Sequence, residues 1–255
     1  MLIRVLLAAI FAGVIAGVFA SVAQSYRVVP LILEAETYET GGHSHGEAGH
    51  SHGEADHSHG EAGHSHGQAG ADSGEEDAAW APSDGFERTF FTLIANVVVG
   101  VAFSMILTAG ILIARQSITP KTGLVWGTCG FVVFVLAPNF GLPPELPGMA
   151  AGDLQDRQFW WIATVICTSA GLWLFAFRRG AVWMVAGLLL VLAPHIYGAP
   201  QPESHESAVP AHLAAEFATA TIVTSALFWL VLGGALGWLL AREALRQAPT
   251  EQPGQ

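Results

Sequence analysis

The stretch that decides the fold is "TFFTLIANVVVGVAFSMILTAGILIA", residues 89–114, which contains no charged side chain. A helix that crosses the hydrocarbon core of a bilayer needs about 20 mainly apolar residues. Backbone N–H and C=O groups cannot stay unpaired in lipid, so a run of this length predicts an α-helix rather than a strand. The sequence therefore predicts a membrane span at this position.

Five further apolar runs share this character, and together they predict an all-α polytopic membrane protein with about six transmembrane helices. The composition agrees, because the chain is 52% hydrophobic and only 12% charged, whereas soluble domains carry about 25% charged residues. The third and fifth of the six runs are short for a span, and each has a proline at or near its end, Pro138 and Pro194. The five further runs are residues 2–23, 122–138, 158–177, 180–197 and 212–241.

The lysines and arginines predict the orientation, because these residues concentrate at the cytoplasmic ends of membrane helices. With a cytoplasmic N-terminus, seven bases lie inside and three outside, so both termini are expected in the cytoplasm. The inner bases are Arg4, Arg115, Lys121, Arg178, Arg179, Arg242 and Arg246, and the outer bases are Arg27, Arg88 and Arg157. An alternative for the first run is a signal peptide cleaved after Ser21-Val22-Ala23; it would leave five helices and the same outer loop.

The loop after the first run carries four copies of a His-x-His unit, "GHSHGEAGHSHGEADHSHGEAGHSHG", residues 42–67. The intervening Gly, Ser, Ala and Glu offer no apolar face to bury, so we expect a disordered, extracytoplasmic and acidic loop over residues 34–88. Neutral imidazoles on a flexible chain suit Zn, Cu, Ni, Fe and Co. The alternative is a spacer without a role. The expected metal ligands are His43, His45, His50, His52, His57, His59, His64 and His66.

Two loop sequences resemble each other where the third and fifth runs reach the outer side. They read "VLAPNFGLPPELPG" at residues 135–148 and "VLAPHIYGAPQPES" at residues 191–204. Because Gly/Pro-interrupted segments at matching positions mark substrate sites in transporters with internal repeats, two related helical hairpins are expected here. The predicted segments are 1–33 (first helix), 34–88 (His-rich loop), 89–120 (second helix), 121–179 and 180–242 (hairpins), and 243–255 (cytoplasmic tail).

Few other metal-binding side chains lie near the predicted helices. The candidates are His195, Glu145, and His212 with Glu216, which share one helix face at i,i+4 spacing. All four lie on the predicted outer side, and the alternative is that they are ordinary interfacial polar groups. No Asp, Glu, Lys or Arg lies in the middle of a run, which argues for a passive pore or a subunit that needs partners.

The two cysteines, Cys129 and Cys167, lie inside apolar runs without a CxxC motif. Inert buried thiols are expected, and a redox or soft-metal pair is the alternative. No Walker motif is present, so ATP hydrolysis would have to come from another protein.

Several of these stretches resemble the CbtA family of predicted cobalt transporter subunits. They are "MLIRVLLAAIFAGVIAGVFASVAQ", "RQFWWIATVICTSAG", "GLPPELPG" and "APHIYGAPQP". The resemblance covers nearly the whole chain except the His repeat. It implies the bacterial inner membrane, cobalt as the transported ion, a link to cobalamin biosynthesis and a small single-span, CbtB-like partner. The imidazoles by themselves leave nickel and zinc open.

The sequence is therefore interpreted as a non-enzymatic membrane subunit of a divalent metal-ion importer, with the lipid bilayer and the metal ion as its partners. One alternative is a metal-buffering or sensing membrane protein without transport. Another is a membrane enzyme with haem held by His195 and His212. Nucleic acid is not an expected partner, because the chain has no basic surface to offer.

Metal binding by the His repeat should weaken as pH falls through about 6.5, where imidazoles take up protons. We expect the affinity of the purified protein for Co²⁺ to fall by about tenfold or more between pH 7.5 and pH 5.5, measured by isothermal titration. A variant with all eight repeat histidines changed to Asn is the control. Equal affinities of protein and control at pH 7.5 would contradict metal binding by the repeat.

Overall fold

A computed structural model describes residues 2–41, 82–83, 85–204 and 206–247, and these residues fold entirely into helices and connecting loops. One of the spans is built from three consecutive segments, α4, a π-helix and α5. The elements are α1 (Leu2–Arg27), α2 (Val29–Gly41), α3 (Phe86–Ala114), α4 (Pro120–Phe131), the π-helix (Val132–Leu136), α5 (Ala137–Asn139), α6 (Leu154–Phe177), α7 (Ala181–Tyr197) and α8 (Ala211–Gln247).

Five of these helical stretches are long and apolar enough to cross a membrane, and α7 is a shorter apolar helix of 17 residues. Each of the six predicted runs corresponds to one of them. The prediction of an all-α polytopic membrane protein is confirmed.

The helix starts are encoded locally. At α4 the Thr119 hydroxyl accepts the Thr122 N–H while the Thr122 hydroxyl accepts the Thr119 N–H, at 3.2 and 2.8 Å. This reciprocal capping box satisfies two otherwise unpaired backbone donors. At α6 a carboxylate oxygen of Asp153 accepts the backbone N–H groups of Gln155 and Asp156 at 2.9 and 3.1 Å, which does the same for that helix.

Pro138 and Pro194 lie in the last turns of their helices. The α4 span widens into the π-helix directly before Pro138, and the N–H of Ala137 reaches back five residues to the carbonyl of Val132. In a regular α-helix the Pro138 ring would clash with the carbonyl four residues earlier, and the π-helix accommodates it. Pro194 lies within α7, which continues to Tyr197.

Small residues bring the first two spans into backbone contact, as the Gly13-xxx-Gly17 spacing indicates. A Cβ at Gly13 would lie 2.6 Å from the backbone N of Val101, and one at Gly17 would lie 2.5 Å from the Cα of Val97. No side chain fits at such distances. The α1–α3 interface therefore depends on close helix packing of the small-xxx-small type.

The same kind of close contact joins α4 to α8, through Gly123 and Gly127 on one helix and Gly233 and Gly237 on the other. A Cβ at Gly123 would lie 2.6 Å from the Cα of Gly237, and one at Gly233 would lie 2.8 Å from the Cα of Gly127. The four glycines therefore face one another across the α4–α8 contact. Helices α1, α3, α4 and α8 share one core whose centre is the buried ring of Trp229.

The remaining two spans, α6 and α7, pack against each other rather than as the expected hairpins. Gly171 and Gly187 form their close contact, with a Cβ at Gly171 placed 2.7 Å from the Gly187 carbonyl oxygen. In the described part of the chain, α7 lies along α6 and makes no extensive contact with α8. Thus residues 180–242 are not one packed hairpin, because the small-residue stripe of α8 faces α4.

Helix α2 was not predicted, because residues 34–41 were assigned to the disordered loop. The helix forms because Val28, Leu31 and Ala35 are buried against the start of α8 and Leu146. Arg88 at the start of α3 binds the Glu36 carboxylate at 2.7 Å. Residues 42–81 of the predicted loop, which include every histidine of the repeat, lie outside the described residues.

The molecule has two chemically different ends. Arg4 at the start of α1 and Arg242 near the end of α8 line one small pocket with Glu243, and we name this side the basic end. At the opposite side, α2, the loop after α5 and the start of α8 pack together, and we name it the loop end. Both ends of the described chain therefore lie on one side.

The glycine contacts predict a matched pair of variants on α8. Gly233→Ala should destabilise the protein by about 1–3 kcal/mol, the usual cost of overpacking, since its Cβ would meet backbone. Gly234→Ala should be nearly neutral, because its nearest neighbour is the flexible Leu124 side chain at 3.3 Å. The measurement is the thermal unfolding midpoint in detergent. Equal midpoints for both variants would contradict the α4–α8 contact.

Candidate functional site at the loop end

The two loops with similar sequences meet around Trp160, which lies in the second turn of α6 and is only 5% exposed. The indole Nε1 of Trp160 donates a hydrogen bond to the carbonyl oxygen of Pro194 at 3.0 Å. The same oxygen accepts the N–H of Gly198 at 3.0 Å. Trp160 therefore fixes the end of α7 and the start of the loop that follows it.

Glycine in the first loop allows the two loops to touch. A Cβ at Gly141 would lie 2.7 Å from the Trp160 ring and 2.8 Å from the Cβ of Ala199 in the second loop. Gly152 approaches the backbone of Pro200 and Gln201 in the same way, at 3.3 and 3.4 Å. The matching Gly/Pro segments are thus neighbours in space, as expected of a site built from both.

His195 lies in the last turn of α7 and is half-buried between aromatic rings. Its imidazole meets the ring of Trp160 edge-on at 5.7 Å and that of Phe140 at 6.3 Å, counted between centroids. Both are contacts between rings rather than hydrogen bonds. The imidazole is therefore oriented by packing, and its side chain lines the adjoining cavity.

This loop-end cavity has a volume of about 710 Å³ and lies between the π-helix, α6 and α7. His195 and Gln201 line it near the loops, and Thr168 lines it further along α6. Thr168 is 1% exposed, and its hydroxyl has no hydrogen-bond partner among the described residues. A buried hydroxyl without a partner is costly, so the cavity lined by His195 also contains an unused polar position at Thr168.

Glu145, a predicted ligand, is instead engaged by a base. Its carboxylate binds the Arg157 guanidinium at 2.7 Å, and both side chains are about a quarter exposed. The pair ties the first loop to the first turn of α6. As placed here, Glu145 serves the loop structure, and a role as a metal ligand would require this ion pair to open.

His212 and Glu216 lie together on the first turns of α8, as their spacing predicts, and both are exposed. Their neighbours Leu213 and Phe217 are buried against α2, so the two polar side chains face away from that contact. Among the described residues, no three His, Cys, Asp or Glu side chains lie close enough to hold one metal ion. The predicted ligand set stays a prediction, since the eight repeat histidines lie outside those residues.

The sequence reading missed the part played by Trp160 and by Arg157 as the partner of Glu145. A signal for Trp160 was available, because a tryptophan within an apolar run needs an acceptor for its N–H. Cys129 and Cys167 are both free and line different cavities.

A bundle of apolar helices with a cavity at one end defines a polytopic α-helical membrane protein. The family model for the probable cobalt transporter subunit CbtA matches residues 2–241 of the chain. The chain belongs to this family, and the resemblance stated above is confirmed. Cobalt is therefore the expected substrate, and a subunit of a transporter works with other subunits. Comparisons with curated proteins and with solved structures find no match.

The Trp160 hydrogen bond predicts a local effect at the end of α7. Trp160→Phe keeps an aromatic ring but removes the donor to Pro194, so amide hydrogen exchange over residues 195–204 should be about five- to tenfold faster, for a net hydrogen bond of about 1 kcal/mol. Trp161→Phe is the control, since Trp161 is exposed. Unchanged exchange in Trp160→Phe, measured by mass spectrometry, would contradict this role of the indole.

Proposed function

We propose that this chain is the membrane subunit of a cobalt importer in which the His-rich loop collects the ion outside the cell. The ion then passes to the loops around Trp160 and His195. Both termini lie in the cytoplasm, the loop end faces the extracytoplasmic side, and the membrane is the bacterial inner membrane.

One observation carries the proposal: the two Gly/Pro loops meet at a cavity that runs between helices and is lined by His195. Matching Gly/Pro-interrupted segments are typical of the substrate sites of transporters. An imidazole held by aromatic rings beside such a cavity is a suitable first ligand for an ion such as Co²⁺.

The orientation is supported by the distribution of basic residues. Arg4 and Arg242 share the basic end, and arginine favours the cytoplasmic side. Arg178, next to the ring of Trp183 at 5.2 Å, and Arg179 lie between α6 and α7. The loop end then lies on the same side as the segment that begins after α2, which contains the eight repeat histidines.

The repeat acts as a collector rather than as a selective site. A flexible set of imidazoles follows the general affinity order of divalent metals, in which Cu and Ni exceed Co. Selection for cobalt therefore falls to the more rigid positions of the helices or to a partner. The proposed partner is a small single-span, CbtB-like subunit, and the proposed use of the ion is cobalamin biosynthesis.

A metal-buffering or sensing protein without transport is the second candidate. It is favoured by the location of eight of the eleven histidines in one loop, which suffices to hold metal without moving it. Uptake by intact cells separates the two functions, because a buffer does not raise the rate of metal entry.

The test is ⁵⁷Co²⁺ uptake by cells that express the chain with and without the single-span partner. An importer predicts uptake at least tenfold above cells without the chain when the partner is present. No increase with or without the partner, while the chain is present in the membrane, would rule out the transport function.

A length-matched variant tests the collector. Changing all eight repeat histidines to Asn keeps the loop length and its acidic residues, and it should reduce uptake mainly at submicromolar Co²⁺, with little effect at saturating Co²⁺. An equal loss at every concentration would show that the repeat is part of the path itself, which contradicts a collecting role.

A further inference from the structure

We propose that the transported ion crosses the membrane through the gap between α4 and α6, from the loop-end cavity past Leu172 into a second cavity at the basic end. This inference rests on the proposed function and states the route that the ion takes through the protein. It assigns to one side of the bundle a role that neither the family nor the loops specify.

The gap exists because α6 touches the α4–α5 span only at one end. In the described part of the chain, α6 packs against the π-helix and α5 but makes no extensive contact with α4. The close glycine contacts of α4 and α6 are used elsewhere, by α8 and α7 respectively. The two helices therefore separate from the π-helix toward the basic end.

The second cavity occupies this gap on the side of α3. It has a volume of about 420 Å³ and is lined by residues of α3, α4, α6 and the π-helix. Its polar side chains are Gln116 and Thr122 near the basic end, with Cys129 and Ser169 further along. We name it the basic-end cavity.

Leu172 lines both cavities and is the point where they adjoin. The π-helix also lines both cavities, with Val132 in the wall of the loop-end cavity and Val133 in the wall of the basic-end cavity. A single aliphatic side chain between two cavities can act as a hydrophobic constriction, which is one of the ways in which channels are gated.

Neutral polar groups follow one another along this route. His195 lies at the loop end, Thr168 is next, Ser169 and Cys129 follow, and Thr122 lies near the basic end. A divalent cation that must leave as well as enter needs several weak sites rather than one strong site. Imidazole, hydroxyl and thiol groups at successive positions provide such sites, without the fixed charges of an ion-coupled carrier.

The Thr168 hydroxyl favours an ion path over a gap filled by lipid. An acyl chain would leave this buried oxygen unpaired, at an energetic cost, whereas a hydrated cation or its water would satisfy it. Thr168 is 1% exposed and lacks a partner among the described residues.

The first test fills the constriction. Leu172→Trp should lower ⁵⁷Co²⁺ uptake at least tenfold in cells that contain the partner, while Ile166→Trp should stay within twofold of wild type. Ile166 lies on the same helix, is 61% exposed and lines neither cavity. Leu172→Phe replaces Leu172→Trp if the latter does not accumulate in the membrane. Wild-type uptake in a filled variant would overturn the path.

The second test needs no transport. In single-cysteine variants, a positively charged methanethiosulfonate should modify Thr168→Cys and the native Cys129 at least tenfold faster than Ile166→Cys, because such reagents react in water and not in lipid. Co²⁺ should slow modification of Thr168→Cys. Rates as low as that of Ile166→Cys at both positions would show that the gap is not hydrated.

The outcomes separate this inference from the proposed function. If the wild-type chain moves no cobalt, the proposed function fails and the ion path fails with it, whatever the labelling shows. If cobalt enters but Leu172→Trp transports normally, only the path is wrong. If Cys129 is modified only when the single-span partner is absent, the gap is a docking site for that partner, and the ion path is also overturned.

Discussion

The contact on which this structure depends is the backbone-to-backbone packing of α4 against α8 through Gly123, Gly127, Gly233 and Gly237. In lipid no hydrophobic effect drives helices together, so association depends on van der Waals contact at close range. Four glycines remove the side chains that would keep the helices apart. The same principle joins α1 to α3 and α6 to α7, and these three pairs account for much of the bundle. The helix faces on which the glycines lie determine which helices pack closely and which are left apart.

That arrangement explains why one side of the molecule is open. Because α4 uses its glycine face for α8, and α6 uses its own for α7, the two helices meet only at the π-helix and α5. The π-helix lies directly before Pro138, and Trp160 fixes α7 through Pro194. Thus the prolines do more than end helices, since they shape the region where the loops, the cavity and His195 come together. The candidate site is a consequence of the packing.

Much of the fold could be predicted from the sequence. The features that the sequence did not predict depend on contacts between distant parts of the chain. The six apolar runs and the family were correct, because the length of an apolar run and a short sequence motif are local properties. Helix α2 was missed, since its stability comes from Leu31 and Ala35 packing on distant Leu213. The two hairpins remain a prediction. Helix α7 packs beside α6 because a sequence repeat does not specify which neighbouring helix the glycines of each helix contact. Glu145 was read as a free ligand, and its pairing with Arg157 depends on how the first loop folds.

The central claim is that the loop end and the His-rich segment lie outside the cytoplasm, with the arginines of the basic end inside. The most direct measurement is labelling of a cysteine placed at Gly53, with Cys129 and Cys167 changed to Ala, by a membrane-impermeant maleimide. Arg179→Cys in the same background, between α6 and α7, marks the opposite side. With the proposed topology, intact spheroplasts label at position 53 and not at 179. Labelling at 179 but not at 53, until the membrane is opened, would contradict the topology and the import function that depends on it.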